Sequence, residues 1–144
     1  MIVLLLSGPN LNLLGQRETD VYGTTSINEI VAAASAVAER HGLTVEHLQS
    51  NHEGDLVEAV HAARDRCAAI VVNPGALTHY GWSLHDALAT FGGPVVEVHL
   101  SNPQARERWR HTSVVAPVAS GTIAGFGPAG YELALEAVAR MLTR

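Results

Sequence analysis

The chain has 144 residues, of which 47% are hydrophobic and 16% charged, with a net charge of −5 and a mean hydropathy of +0.14. That length suits a single domain over residues 1–144, with a core that needs no disulfide or metal. Scattered arginines within an acidic balance argue against nucleic acid or an anionic membrane as the main partner. A small-molecule ligand fits better, and the low charge count predicts apolar surface that meets other copies of the chain.

The lone Cys67 cannot close an internal disulfide. The opening MIVLLLSG lacks a basic flank and is too short to span a bilayer. Both features lead to the expectation of a cytoplasmic protein.

Ile2 to Leu6 is a continuous apolar run stopped by Gly8-Pro9, the pattern of a strand covered on both faces. A long polar stretch follows, with Asn10, Asn12, Arg17 and Tyr22; connections of that length usually carry function. Ser26 with Glu29 predicts a capping box. Ile27, Ile30, Val31, Ala34, Val37 and Ala38 then share one helical face up to Gly42.

Leu43 to Leu48 predicts a second strand, Glu53 to Arg66 a second helix, and Ala69 to Val72 a third strand ending at Asn73-Pro74-Gly75. A helix is expected from Trp82 to Phe91, and Gly92-Gly93-Pro94 then turns the chain into a strand from Val95 to Leu100. A short fifth strand is expected within residues 113–126, before a closing amphipathic helix from Ala129 to Leu142. Strands alternating with helices at this spacing imply right-handed βαβ units. The expected fold is α/β: a flavodoxin-like three-layer α/β/α sandwich on a five-stranded parallel sheet.

In such sheets ligands bind beyond the carboxyl ends of the strands, where strand order reverses. Ser7, Asn10, Asn73 and the segment 97–101 fall there. Glu97 and His99 alternate onto the same face of their strand, so the carboxylate can fix the imidazole tautomer and stabilise its protonated form. A strand-end histidine with a satisfied hydrogen bond is the plainer alternative.

A tyrosine is ordinarily only ~0.3% ionised near pH 7.5. An arginine within ~4–6 Å favours the phenolate by roughly 1–3 pH units. Arg17 and Tyr22 share one loop and can close over a crevice, although exposed Arg and Tyr also serve as plain surface groups. Asn10, Asn12 and Asn73 can hold a ligand or a water, or else serve the turns around Gly and Pro. Turn chemistry is preferred for Asn12. His79 lies just ahead of a helix, and Asp86 would project away from its own chain.

There is no GxxxxGK[ST] or GxGxxG phosphate loop, no HxH, HExxH or paired cysteine spacing despite eight histidines, and no Gly-x-Ser-x-Gly elbow. No metal requirement is expected.

The motifs GPNLNLLGQRETDVYG (8–23), QSNHEGDLVEA (49–59), NPGALTH (73–79), VEVHLSN (96–102), ARERWRHTS (105–113) and GxxGY (127–131), in this order and spacing, run nearly end to end. Through them the chain resembles type II 3-dehydroquinate dehydratases. That resemblance implies cofactor-free conversion of 3-dehydroquinate to 3-dehydroshikimate by elimination of water through an enolate. The reaction serves aromatic amino acid biosynthesis or quinate breakdown. It also implies a homododecamer arranged as a tetramer of trimers.

By the same resemblance, Tyr22 would remove the C2 proton, Arg17 would keep it ionised, and Asn10 would hold the water that supports the enolate oxygen. His99, oriented by Glu97, would protonate the departing C1 hydroxyl. Leu100 and Ser101 would bind the substrate carboxylate, and Asn73, His79 and Arg110 the ring hydroxyls. Asp86 would reach the adjoining site across the trimer interface.

Three departures stand out: Ser7 where the family has asparagine, Tyr80-Gly81-Trp82 for a Thr-Ser-small run, and Pro103-Gln104 for an apolar-His pair. None removes a proposed catalytic group. The fold alone also admits a binding module for a small ligand or nucleotide, which flavin absorbance or nucleotide affinity would reveal.

Overall fold

A computed structural model describes all residues, 1–144. Five strands, β1 (Ile2–Ser7), β2 (Thr44–Gln49), β3 (Cys67–Asn73), β4 (Val95–His99) and β5 (Gly121–Ala124), form one sheet in the order β2-β1-β3-β4-β5. Every neighbouring pair is parallel. Helices α2 (Ile27–Arg40) and α5 (Ala129–Leu142) cover one face; α3 (Glu53–Ala63) and α4 (Trp82–Ala89) cover the other.

The unbroken apolar run of β1 follows from that arrangement. Val3 and Leu5 pack under α2 and α5, whereas Leu4 and Leu6 pack under α3 and α4. Cutting a fully buried leucine such as Leu5 or Leu6 to alanine costs about 2–5 kcal/mol. At the start of α2, the Ser26 hydroxyl accepts the Glu29 N–H at 3.2 Å and donates to the Glu29 carboxylate at 3.1 Å. The predicted cap is therefore present, with the carboxylate returning to the hydroxyl rather than to the backbone.

Boundaries differ from expectation where pattern is weak. α3 stops at Ala63 because residues 64–66 form tight turns leading into β3, which starts at Cys67 rather than Ala69. α4 ends at Ala89, with the Thr90 hydroxyl donating to the Ala87 carbonyl at 2.7 Å. Within residues 113–126 the strand is β5, preceded by a 3-10 turn at Ala116–Val118.

The polar stretch after β1 has structure of its own: a 3-10 turn at Leu11–Leu13 and a short helix, α1 (Thr19–Tyr22). Leu11 and Leu14 are buried beneath α2 and anchor it. Beyond them, residues 15–24 leave and return through a narrow neck. A Cβ on Gly15, whose φ is +88°, would stand 2.8 Å from the Thr24 carbonyl oxygen. No helix is long and apolar enough to cross a membrane.

Candidate active site

Strand order reverses between β1 and β3, since β2 lies on one side of β1 and β3, β4 and β5 on the other. At that point Ser7 pairs with Asn73, and the Gly8 N–H donates to the Asn73 carbonyl at 2.8 Å. The two loops then run back to back so closely that a Cβ on Gly8 would lie 2.3 Å from the Pro74 carbonyl oxygen. Only glycine fits.

Asn10 takes up a left-handed conformation, φ 69°, which asparagine tolerates. Its N–H donates to Asn51 Oδ1 at 2.9 Å, and Gln49 Nε2 donates to the Gly8 carbonyl at 3.1 Å. The Gln49-Ser50-Asn51 run, which had no chemical reading of its own, thus fixes the asparagine loop. Glu53, two residues on, accepts the Leu84 N–H at 3.0 Å and so ties α3 to the first turn of α4.

These loops surround a cavity of about 160 Å³ lined by Asn10, Arg17, Tyr22, Asn73, His79, His99, Leu100, Ser101 and Arg110, together with Arg106. Every expected site residue lines it except two. Glu97 stands behind His99, fully buried, and Asp86 lies outside on α4 with its side chain 86% exposed.

Tyr22 meets cations from two directions. Its hydroxyl accepts from Arg106 Nη1 at 2.6 Å, while the Arg17 and Arg106 guanidinium carbons lie 5.1 and 5.2 Å from its ring centre. Arg17 also pairs with Glu18, and Arg106 reaches Ser101 Oγ at 3.4 Å. Arg106 was missed from sequence. Three arginines stand at alternate positions in residues 106–110, and nothing in that spacing marks Arg106 as the one that reaches Tyr22.

The opposite polarity governs His99. Its Nε2 donates to Glu97 Oε2 at 2.6 Å. Glu97 also accepts from the hydroxyls of Thr78 and Ser113, with Ser113 Oγ 3.0 Å from both carboxylate oxygens and 2.7 Å from Thr78 Oγ1. Burial pushes the Glu97 carboxyl up, but the bonds from His99, Thr78 and Ser113 outweigh it and hold the group below its ordinary range. A carboxylate with no exposure persists as an anion only with such partners. Ser113 Oγ also receives the N–H groups of Val115 and Ala116 at 3.1 and 2.9 Å. Thr78 and Ser113 were likewise missed; both stand in the quoted motifs, but nothing local pairs them with residue 97.

Around the rim, His79 Nδ1 donates to the Thr112 carbonyl at 2.7 Å, which leaves Nε2 free for another partner. Its ring meets Trp109 edge-on at 5.2 Å. Arg110 donates to Glu107 at 2.6 Å and lies over Trp109 at 4.0 Å. Asn12 is exposed and does not line the cavity. No group of three His, Cys, Asp or Glu side chains converges on a point where a metal ion could sit. The arrangement therefore offers a tyrosine beside cations and a histidine beside an anion across one cavity, the two halves of a proton-transfer pair.

Known proteins carry the same framework. The chain is 52% identical over 133 residues to the 3-dehydroquinate dehydratase of Bacillus licheniformis, covering 92% of each protein. It is 54% identical over 141 residues to that of Ruegeria pomeroyi, covering 98% of this chain and 95% of the relative. The type II dehydroquinase structure from Propionibacterium acnes superposes with a TM-score of 0.93 at 43% identity over 96% of both chains. A 3-dehydroquinate dehydratase-like protein from Bifidobacterium longum superposes with a TM-score of 0.76 at 33% identity. The family model for class II dehydroquinases matches residues 1–139, a span that contains every side chain of the cavity. With its fold, its strand-end site and its nearly full-length match in agreement, this chain belongs to the class II dehydroquinase family.

Proposed function

We propose that the chain dehydrates 3-dehydroquinate to 3-dehydroshikimate by a base and an acid facing each other across the cavity. The observation that carries this reading is the opposite polarity of the two partners: guanidinium groups at Tyr22, a buried carboxylate at His99. The guanidinium groups offset negative charge on the Tyr22 oxygen during proton transfer, and the Glu97 carboxylate offsets positive charge on the His99 ring. Tyr22 takes the proton from C2, giving an enolate whose oxygen is held by a water on Asn10. Glu97 occupies Nε2 of His99, so the proton to be given sits on Nδ1. It passes to the C1 hydroxyl, the C1–O bond breaks, water leaves and the C1=C2 bond forms. Turnover then requires return of one proton from Tyr22 to His99, with no net uptake.

In this reading the Leu100 backbone and the Ser101 hydroxyl hold the substrate carboxylate, and Asn73, His79 and Arg110 hold ring hydroxyls. No cofactor takes part, and the domain that carries the reaction is the whole chain. Asp86, on the outer face of α4 beside the exposed Tyr80 and Trp82, reaches a neighbouring site in a homododecamer built from trimers. The unpaired Cys67 suits a reducing, cytoplasmic setting, and aromatic biosynthesis or quinate breakdown draws on the reaction.

The test follows enone absorbance after 3-dehydroquinate is added, with EDTA present. Native protein is expected to turn over at about 1–1000 per second. Tyr22→Phe should bind substrate yet lose nearly all kcat, and unchanged turnover in that variant would defeat the assignment.

A further inference from the structure

Three buried polar groups take no part in the chemistry above: Ser7 and Tyr131, neither with any exposure, and half-buried His47 on β2. Asn73 on β3, Tyr131 on α5, Ser7 on β1 and His47 on β2 make one polar row, bonded from Asn73 to Tyr131 and from Ser7 to His47, with Ser7 beside the Tyr131 hydroxyl. Its direction is set at one end. The Gly75 N–H donates to Asn73 Oδ1 at 3.1 Å, so the other half of the amide faces Tyr131, and Nδ2 donates to the Tyr131 hydroxyl at 2.8 Å. Burial pushes the ionisation of Tyr131 far up, so the phenol keeps its proton and must donate it. The Ser7 hydroxyl is its other neighbour. Ser7 in turn lies 2.9 Å from His47 Nε2. Burial holds the His47 imidazole below its ordinary range, so the ring is neutral and able to accept. The Gly75 N–H on one side and the Tyr131 hydroxyl on the other thus hold the Asn73 amide in a single orientation.

We propose that Tyr131, Ser7 and His47 are positioning residues that lock the Asn73 amide in one orientation, presenting its second Nδ2 hydrogen to the cavity as a donor for an oxygen on the substrate ring. This rests on the reading in which Asn73 holds a ring hydroxyl. A free primary amide can exchange its oxygen and nitrogen with almost no change of shape. Here the exchange would set Nδ2 against the Gly75 N–H, donor against donor, and would require the Tyr131, Ser7 and His47 protons to reverse. The chain also accounts for Ser7 at the end of β1: a hydroxyl is both donor and acceptor, and so links the phenol to the ring.

The experiment compares native protein with Tyr131→Phe, Ser7→Ala, Asn73→Ala and the Tyr131→Phe/Asn73→Ala double variant. Losing one neutral hydrogen bond predicts a rise in KM for 3-dehydroquinate of about fivefold in Tyr131→Phe, with kcat within about twofold. Ser7→Ala should give a smaller rise in the same direction. If Tyr131 acts through Asn73, the double variant is no worse than Asn73→Ala alone. A lowered melting temperature with KM unchanged, or additive effects on KM, would show a purely structural role and overturn the proposal. Amide exchange of residues 73–79 in the unliganded native assembly supplies a readout that does not depend on turnover. Faster exchange in Tyr131→Phe supports the lock and unchanged exchange overturns it, even if native protein proves inactive on 3-dehydroquinate and the dehydratase reading falls.

Discussion

Arg106 donates to the Tyr22 hydroxyl at 2.6 Å, whereas Arg17 faces the ring and shares its charge with Glu18. The shorter and more direct contact should carry the larger effect. Removing one preorganised donor from a reacting oxygen typically costs about 10²–10³-fold in kcat. Arg106→Gln is expected to fall in that range, and Arg106→Lys to recover only part, because a strongly hydrated ammonium on a flexible stem is held less firmly against the Tyr22 oxygen than the preorganised guanidinium. Steady-state kinetics beside a melting curve separates this from unfolding. Glu97 gives a pH prediction. Its carboxyl is held below the unfolded value of about 4.3, so its stabilising contribution is full above that value and is lost as pH falls through the lower folded one. Melting temperature between pH 7 and pH 3 should show this loss in native protein and lack that component in Glu97→Gln. The same variant should lose about 10²–10⁴-fold in kcat, the usual worth of a general acid. The Arg17–Tyr22 and Glu97–His99 pairings were legible because the partners lie within a few residues. Arg106, Thr78 and Ser113 were not, because their partners are 84, 19 and 16 residues away.

At the scale of elements, the strands and long helices were readable because each buries a periodic face, and their ends were not, because a last turn or first strand residue is half exposed. The stretch after β1 lines the cavity, as its polar residues suggested, and it has structure of its own, which they did not suggest. Its buried anchors, Leu11 and Leu14, share the segment with exposed Leu13 and Val21, so the apolar residues show no period. What positions the cavity is the approach of the Gly8 and Pro74 backbones. Gly8→Ala should force them apart, costing about 1–3 kcal/mol as other overpacking does, and should lower kcat/KM by displacing Asn10 and Asn73 together. Gly54, in α3, is the control, since a Cβ there meets nothing within 4 Å. Gly54→Ala should leave kcat/KM unchanged and stabilise by about 0.4–1 kcal/mol. Urea unfolding with activity assays on both variants tests the contrast; equal behaviour would mean the loop contact does not set the site.

For the whole molecule, the parallel sheet with its reversal between β1 and β3 fixes where a ligand can sit, and that followed from element order alone. The proposed subunit assembly has a fainter basis in one chain: exposed Tyr80 and Trp82 together with Asp86, which follows Trp82 by one helical turn on α4. If Asp86 completes a neighbour's site, Tyr22→Phe and Asp86→Ala damage different partners of the same site. Each variant alone should lose most of its turnover. After the two are mixed in equal amounts, dissociated and reassembled, a site is intact when its own chain keeps Tyr22 and the adjoining chain keeps Asp86. Random assembly gives that combination in about one site in four, because each closed ring repeats one heterologous contact. Recovery toward that fraction, read by the enone assay on the reassembled oligomer, is the expected result. If Asp86 instead served its own chain's cavity, no mixed assembly would contain an intact site and the mixture would stay as inactive as its parents.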